Sequence, residues 1–298
     1  LDERDPVAFD ERRKGILSLF HNEAELRAAE RKMQVLGSAG LVQHSLDANA
    51  CLQVEPALGP AIAQGSIAGG IFTPDDRSGD AHLYTAALGA RLNQMGVAVV
   101  TGAEVDVLEV SGDCVTGART KGKLFSAERL VLCNGVQAAR LAKKLGVRLP
   151  IYPVKGYSVT LPAPARLAPE VSLTDERRRI VVSRLGQRIR AAGMAEVVGY
   201  DLKLDERRAR AVLSALTALL PQLRACEEQA QFWCGLRPMT PDGSPMIGRL
   251  LPFQNLYVNA GHGTLGWTLG LGSAEILADL LEKSPSRLDQ NAFLPDRF

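Results

Sequence analysis

Gly261-His262-Gly263-Thr264-Leu265-Gly266 matches G-x-G-x-x-G letter for letter, follows an apolar run at 255–260 that reads as a strand, and opens a helical stretch from Trp267 to Lys283. A dinucleotide-binding βαβ unit needs more than that. It requires a second parallel strand after the helix and an acidic residue about 20 positions on, to hold the ribose. Only a polar tail follows Lys283, so the match is not a Rossmann fingerprint. The residues do support a helix N-terminus suited to an anion: glycines let backbone N–H groups approach a ligand, and the helix dipole favours negative charge there. A tight strand-to-helix turn without a ligand fits the same letters, and both readings stand at this point.

Working outward, a helix-to-strand pattern recurs upstream. Leu83, Ala87, Leu88, Leu92 and Met95 repeat at helical spacing between Asp80 and Met95, and Gly96 closes the helix. Val97 to Val100 then reads as a buried strand of an α/β layer. Residues 104–132 alternate as a meander of strands at 104–110, 114–120 and 124–132. The last ends at Asn134-Gly135, and a helix follows at 136–145. Polar groups at the carboxyl end of a buried strand, ahead of a helix, sit where α/β sheets bind ligands.

The remainder has the texture of a β-rich unit. Residues 16–20 read as a strand, 22–35 as a helix capped by Asn22, 47–58 as a short helix and 65–72 as a glycine-rich strand. Prolines at 150, 153, 162, 164 and 169 punctuate short strands. Residues 180–185 and 187–192 pair as a hairpin around Gly186, and 196–200 reads as a further strand. An amphipathic helix at 205–220 ends at Pro221, and a strand follows at 229–235. Two interleaved units are expected, roughly 80–145 with 235–283 against the rest.

Composition narrows the function. The 298 residues carry 35 Lys+Arg against 33 Asp+Glu, a net charge of +2. Nucleic-acid binding needs a basic excess on one face, so that partner is excluded. Five scattered Cys without a C-x-x-C pair fit neither a disulfide framework nor a zinc site, and point to a reducing, cytosolic setting. His21, His44 and His82 are not spaced as metal ligands. The longest stretch without Asp, Glu, Lys or Arg, 250–274, is broken by Pro252, Asn255, Asn259 and five glycines, so no transmembrane helix is expected.

A second segment gives the glycine turn its context: Gly235-Leu236-Arg237-Pro238-Met239-Thr240-Pro241-Asp242-Gly243-Ser244-Pro245-Met246-Ile247-Gly248. Three prolines and three glycines fix an irregular backbone around one Arg. Together with Asn259 to Trp267, this resembles the C-terminal flavin-contacting signature of the D-amino acid oxidase superfamily, and within it the small subunits of bacterial D-amino acid dehydrogenases. Pro153-Val154-Lys155-Gly156-Tyr157-Ser158, Ser183-Arg184-Leu185-Gly186 with Arg190-Ala191-Ala192-Gly193, and the tail from Ala292 to Phe298 agree with it.

The resemblance implies FAD as cofactor, lying across an α/β domain, with a β-rich domain over the substrate. By motif, Gly261, His262, Gly263, Thr264, Leu265, Gly266 and Trp267 approach the flavin ring. Val105 makes a backbone contact to adenine, and Asn134 and Gly135, after Cys133, lie near the pyrophosphate. Arg237 matches the Arg that pairs with the substrate carboxylate, for which its planar fork is suited. Tyr157 and Arg190 are further substrate-side candidates. The implied reaction takes a D-amino acid to an imino acid, which water hydrolyses to a 2-oxo acid and ammonia. The flavin accepts the α-hydrogen as hydride, so no side-chain base is assigned; His262 is read as structural, and Trp233 as packed. A quinone is a compatible electron acceptor, and a peripheral place on the inner face of the plasma membrane is compatible with the cytosolic setting.

One departure qualifies this. Such enzymes open with strand, G-x-G-x-x-G and helix, whereas this sequence opens at Leu1 in what corresponds to the substrate-side region. A fragment of a longer enzyme, a partner chain that supplies the N-terminal segment, and a relative that no longer binds FAD are the three readings. The expected fold is α+β or α/β: an incomplete FAD-binding Rossmann-like domain at 80–148 and 235–285, interleaved with a β-rich substrate domain at 1–79 and 149–234 with flanking helices, then a tail at 286–298. A glycine- or sarcosine-type secondary-amine oxidase is the enzyme alternative. A cofactor-free structural or binding subunit of a heteromer is the other.

Overall fold

The computed structural model describes residues 7–164 and 166–298. In chain order the elements are β1 (Ile16–Phe20), α1 (Glu23–Ser38), β2 (His44–Asp47), α2 (Ala48–Val54), α3 (Gly59–Ala63), β3 (Gly69–Thr73), α4 (Ala81–Gln94), β4 (Val107–Ser111), β5 (Cys114–Thr120), β6 (Lys123–Ser126), β7 (Leu130–Leu132) and α5 (Val136–Lys144). There follow β8 (Tyr152–Pro162), β9 (Ser172–Asp175), β10 (Ile180–Leu185), β11 (Arg188–Glu196), α6 (Glu206–Leu219), β12 (Gln231–Met239), β13 (Met246–Arg249), β14 (Leu256–Ala260) and α7 (Gly266–Glu282).

These form two compact units. The first takes the chain up to Ala98, then Gly156–Ala195 and Lys203–Gly235; the second takes Val99–Lys155, Glu196–Leu202 and Leu236–Phe298. Helix α4 therefore falls in the first unit. Its N-cap Asp80 accepts from the amides of His82 and Leu83 and is paired with Arg188 on β11 at 2.9 Å.

An eight-stranded sheet in the order β12-β8-β11-β10-β9-β1-β3-β2 organises the first unit. Alternation sets its inner face: Leu17 and Leu19 of β1 are fully buried, with Val159, Leu161, Leu173, Ile189 and Ala191 in the same core. Helix α6 adds Val212, Leu213, Leu216 and Leu219 at helical spacing to that core. Each fully buried Leu stabilises by roughly 1.5–3 kcal/mol relative to exposure. The hairpin of β10 and β11 pairs Leu185 with Arg188 around Gly186. In the turn ahead of it Arg178 pairs with Asp175 at 2.7 Å and Arg179 with Glu176, and Arg184 of β10 pairs with Glu170.

The second unit holds two three-stranded sheets, β13-β14-β7 and the meander β4-β5-β6. β14 runs parallel to β7, with Leu256 opposite Leu130 and Val258 opposite Leu132, and antiparallel to β13. Helix α5 packs on β14 and β4, and α7 packs on β13 and β14. Asn255, just before β14, binds the meander to this sheet: its Oδ1 accepts from Val115 N–H, and its Nδ2 donates to the carbonyls of Val115 and Glu128, each at 2.8 Å. Leu108, Val115, Leu132, Ala138, Ile151, Met246, Leu256 and Val258 form its core.

Two expected strands are absent. Val97, Val99 and Val100 are 47, 44 and 56% exposed and lie in irregular backbone, as do residues 197–200 beyond the end of β11. An apolar run becomes a strand only when a neighbour completes its hydrogen-bond ladder, and neither run has one among the described residues. The five Cys are free; Cys51 and Cys226 are buried and Cys133 is exposed.

Candidate functional site

β7 and β14 run side by side in the same direction, so their carboxyl ends emerge at one edge of the sheet. Cys133, Asn134 and Gly135 leave β7 there and lead into α5; Gly261 to Leu265 leave β14 and lead into α7. Neither helix has a side-chain cap at its start, where Gly135 and Leu265 occupy the cap positions. The amides of Gln137 and Ala138 in the first turn of α5 donate to the carbonyls of Asn134 and Gly135, and each helix turns its positive dipole end to that edge.

The turn before α7 is shaped by two glycines that no other residue replaces without strain. Gly261 has φ +87° and Gly263 φ +57°. A β-carbon on Gly261 would stand 2.7 Å from Thr240 Cγ2, and one on Gly263 would stand 3.1 Å from Met239 Sδ. The turn thus lies flat against residues 238–240, and Gly263 N–H donates to Pro238 O at 2.9 Å. Thr264, Leu265, Gly266 and Trp267 are exposed at the mouth of the turn.

His262 is held inside it. The single hydroxyl proton of Ser273 goes to Gly270 O at 3.0 Å, so His262 Nε2 donates to Ser273 Oγ, also at 3.0 Å. Burial pushes the imidazole pKa down, which favours the neutral ring. On the strand behind, Asn259 Oδ1 is buried with no hydrogen-bond partner among the described residues.

Val105 and Asn134 come together around a cavity of about 570 Å³, lined also by Glu104, Leu132, Cys133, Gln137, Arg140, Leu141 and Lys144. The last four lie on one face of α5, at i, i+3, i+4 and i+7. Sequence reading stopped at the start of that helix and missed them, although the spacing was visible. Arg237, near the end of β12, is half-buried, and desolvation pushes its guanidinium pKa below the ordinary value. It belongs to the second unit with the glycine turn.

The other two substrate-side candidates belong to the first unit. Tyr157 is 1% exposed and part of the core. Arg190 lies on β11 with its guanidinium 5.3 Å from the Trp233 ring centroid, and burial pushes its pKa down, opposed by Asp80. Trp233 was expected to be packed; it is 57% exposed, with its ring along the strand where a β-carbon on Gly235 would go. Among the described residues no cluster of His, Cys, Asp or Glu could hold a metal ion, and no helix is long and apolar enough to cross a membrane.

Comparison with known proteins bears on this arrangement. The family model described as DAO, FAD dependent oxidoreductase, matches residues 1–280. A D-amino acid dehydrogenase of Paramagnetospirillum magneticum is 43% identical over 293 residues, covering 98% of this chain and 68% of the relative. One of Sinorhizobium medicae is 41% identical over 290 residues, covering 97% and 68%. Among solved structures, glycine oxidase from Geobacillus kaustophilus superposes with a TM-score of 0.87 at 26% identity, covering 99% of this chain and 78% of the other.

Proposed function

Since the chain belongs to the DAO family of FAD-dependent oxidoreductases, we propose that its second unit holds FAD along the carboxyl edge of β7 and β14, and that the chain serves in the oxidation of a D-amino acid to a 2-oxo acid and ammonia. The observation that carries this is the pair of uncapped helix starts at adjacent parallel strand ends. Such an edge suits a ligand with anionic groups. The residues present fit FAD: the turn at 264–267 is exposed at that edge, and Asn259 Oδ1 is a buried acceptor with no partner among the described residues.

When bound, FAD supplies the two-electron acceptor for the α-hydrogen of the substrate, removed as hydride. The chain supplies orientation and electrostatics. Val105 and Asn134 line the cavity assigned to the nucleotide end, with Gly135 at the start of α5. Gly261 to Trp267 face the flavin, where the α7 N-terminus favours negative charge on the ring. Arg237 takes the substrate carboxylate bidentately, and its partial burial strengthens that pairing. His262 donates to Ser273 and is read as a structural part of the turn rather than as a base. Release of the imino product lets water complete the conversion to oxo acid and ammonia.

The identity to two D-amino acid dehydrogenases favours a D-amino acid over glycine or sarcosine. The test is anaerobic reduction of the FAD-reconstituted protein by D-alanine, glycine and sarcosine, followed by reoxidation with an artificial acceptor or oxygen. Bleaching by D-alanine is expected. Bleaching by glycine or sarcosine alone would replace the substrate, and bleaching by none would overturn the reading.

A further inference from the structure

The C-terminal tail carries an arginine with every donor engaged. Arg297 Nε donates to Asp242 Oδ2 at 2.8 Å, and Nη2 donates to Asp242 Oδ1 at 3.2 Å and to Ser244 O at 2.8 Å. Nη1 donates to the carbonyls of Phe293 and Leu294 at 3.1 and 2.9 Å. A guanidinium has five N–H donors, and these contacts use all of them. The side chain is 14% exposed, little for a residue so near a chain terminus. Pro295 is buried and lies against Gly248 of β13, the strand that follows the loop held by Arg297.

That loop leads to the glycine turn. Ser244 O, one of the Arg297 acceptors, also accepts from Thr240 Oγ1 at 2.8 Å, and Asp242 Oδ1 accepts from Ser244 N–H at 3.0 Å. Thr240 is 7% exposed, and its methyl group fills the space beside Gly261. Pro238 O, two residues before Thr240, accepts from Gly263 N–H. A continuous series of contacts therefore runs from Arg297 through Asp242 and Ser244 to Thr240, Gly261 and Gly263, all within the second unit.

We propose that Arg297 is a positioning residue for the turn Gly261–Gly266: by clamping the loop 240–244 it holds Thr240 and Pro238 where the turn must rest. The inference extends the function proposed above, in which that turn faces the flavin. Arg297 touches neither substrate nor cofactor in this role. Its effect on chemistry is indirect, through the geometry of the turn and of Arg237, one residue before Pro238.

Hydrogen exchange on the full chain tests this without any cofactor, comparing the wild type with Arg297→Met, Arg297→Lys and Leu294→Ala. Arg297→Met is expected to raise exchange at the Gly263 and Leu265 amides roughly tenfold or more. Arg297→Lys should fall between it and the wild type, since an ammonium meets Asp242 but not the whole fork. Leu294→Ala loosens the tail while leaving the fork, and is expected to raise exchange only in residues 291–298. Where Arg297→Met does not fold, Asp242→Asn replaces it, and a smaller change in the same direction is expected. Unchanged exchange at 261–266 in folded Arg297→Met, or in folded Asp242→Asn, would overturn the proposal. In FAD-loaded enzyme the same variants should shift the flavin reduction potential and raise KM for the amino acid more than they lower kcat. Failure of the wild type to take up FAD or to be reduced by D-alanine would sink the proposed function, yet the exchange result would still decide the role of Arg297.

Discussion

Gly261 lies so close to Thr240 that a β-carbon on it would stand 2.7 Å from the threonine methyl, and its φ of +87° is one that L-residues rarely adopt. Both constraints act on the same atom. Gly261→Ala is therefore expected to destabilise by about 1–3 kcal/mol, read as a lowered urea midpoint, and to reduce FAD uptake. Thr240→Ala in the same chain relieves the overlap but not the backbone strain. It should recover part of the loss; full recovery would show that φ costs nothing there.

Arg237→Leu should leave FAD content unchanged and weaken the amino acid. Loss of a charge-assisted pair of roughly 1.5–3 kcal/mol lowers kcat/KM by about ten- to hundred-fold. Steady-state kinetics at low substrate measure this, and wild-type values of kcat/KM would remove Arg237 from the carboxylate.

His262 makes stability depend on pH in a stated direction. Burial lowers its pKa from 6.5, so the unfolded chain takes up the proton first on acidification. This contribution is whole above the unfolded value and is lost as pH falls below it toward the folded one. Urea unfolding at about pH 7.5 and pH 5.5 should show a smaller acid loss in His262→Asn than in wild type. An equal loss in both would mean that other groups account for it.

Asn255 holds three backbone groups with one amide. Asn255→Ala is expected to cost about 2–4 kcal/mol, three net hydrogen bonds with buried groups left unmet. Asn255→Asp should be worse, because it sets a carboxylate against the carbonyls of Val115 and Glu128. Thermal unfolding ranks the two, and the reverse order would show that the amide donors contribute little.

How much of this was legible in the sequence depended on how local the cause was. The hairpin at 180–196 and helices α4 and α6 follow from turn residues and periodicity, and fall within a few residues of expectation. The glycine turn was legible too, because positive φ is a demand a single residue type answers. Val97 to Val100 misled because pairing, not composition, makes a strand. Tyr157 sits in a motif read as substrate-side, yet the pleat of β8 turns it into the core at 1% exposure. Trp233 is the converse, a large apolar side chain on an exposed face. Nothing in the order of residues near Phe298 shows that Arg297 meets Asp242, since the contact joins segments far apart in the chain.

The pairing of Leu130 with Leu256 also fixes an order of events in synthesis. Strand β7 leaves the ribosome well before β14, and the Gly156–Ala195 and Lys203–Gly235 parts of the first unit are made in between. Contacts of such long sequence separation form slowly and late, so the edge that carries both helix starts does not exist while the nascent chain is still growing through β10 and α6. The apolar surfaces of β7 and α5 must wait during that interval, open to chaperones or to mispairing. Mutations that delay β14 should accordingly lower the yield of folded protein before they change its equilibrium stability.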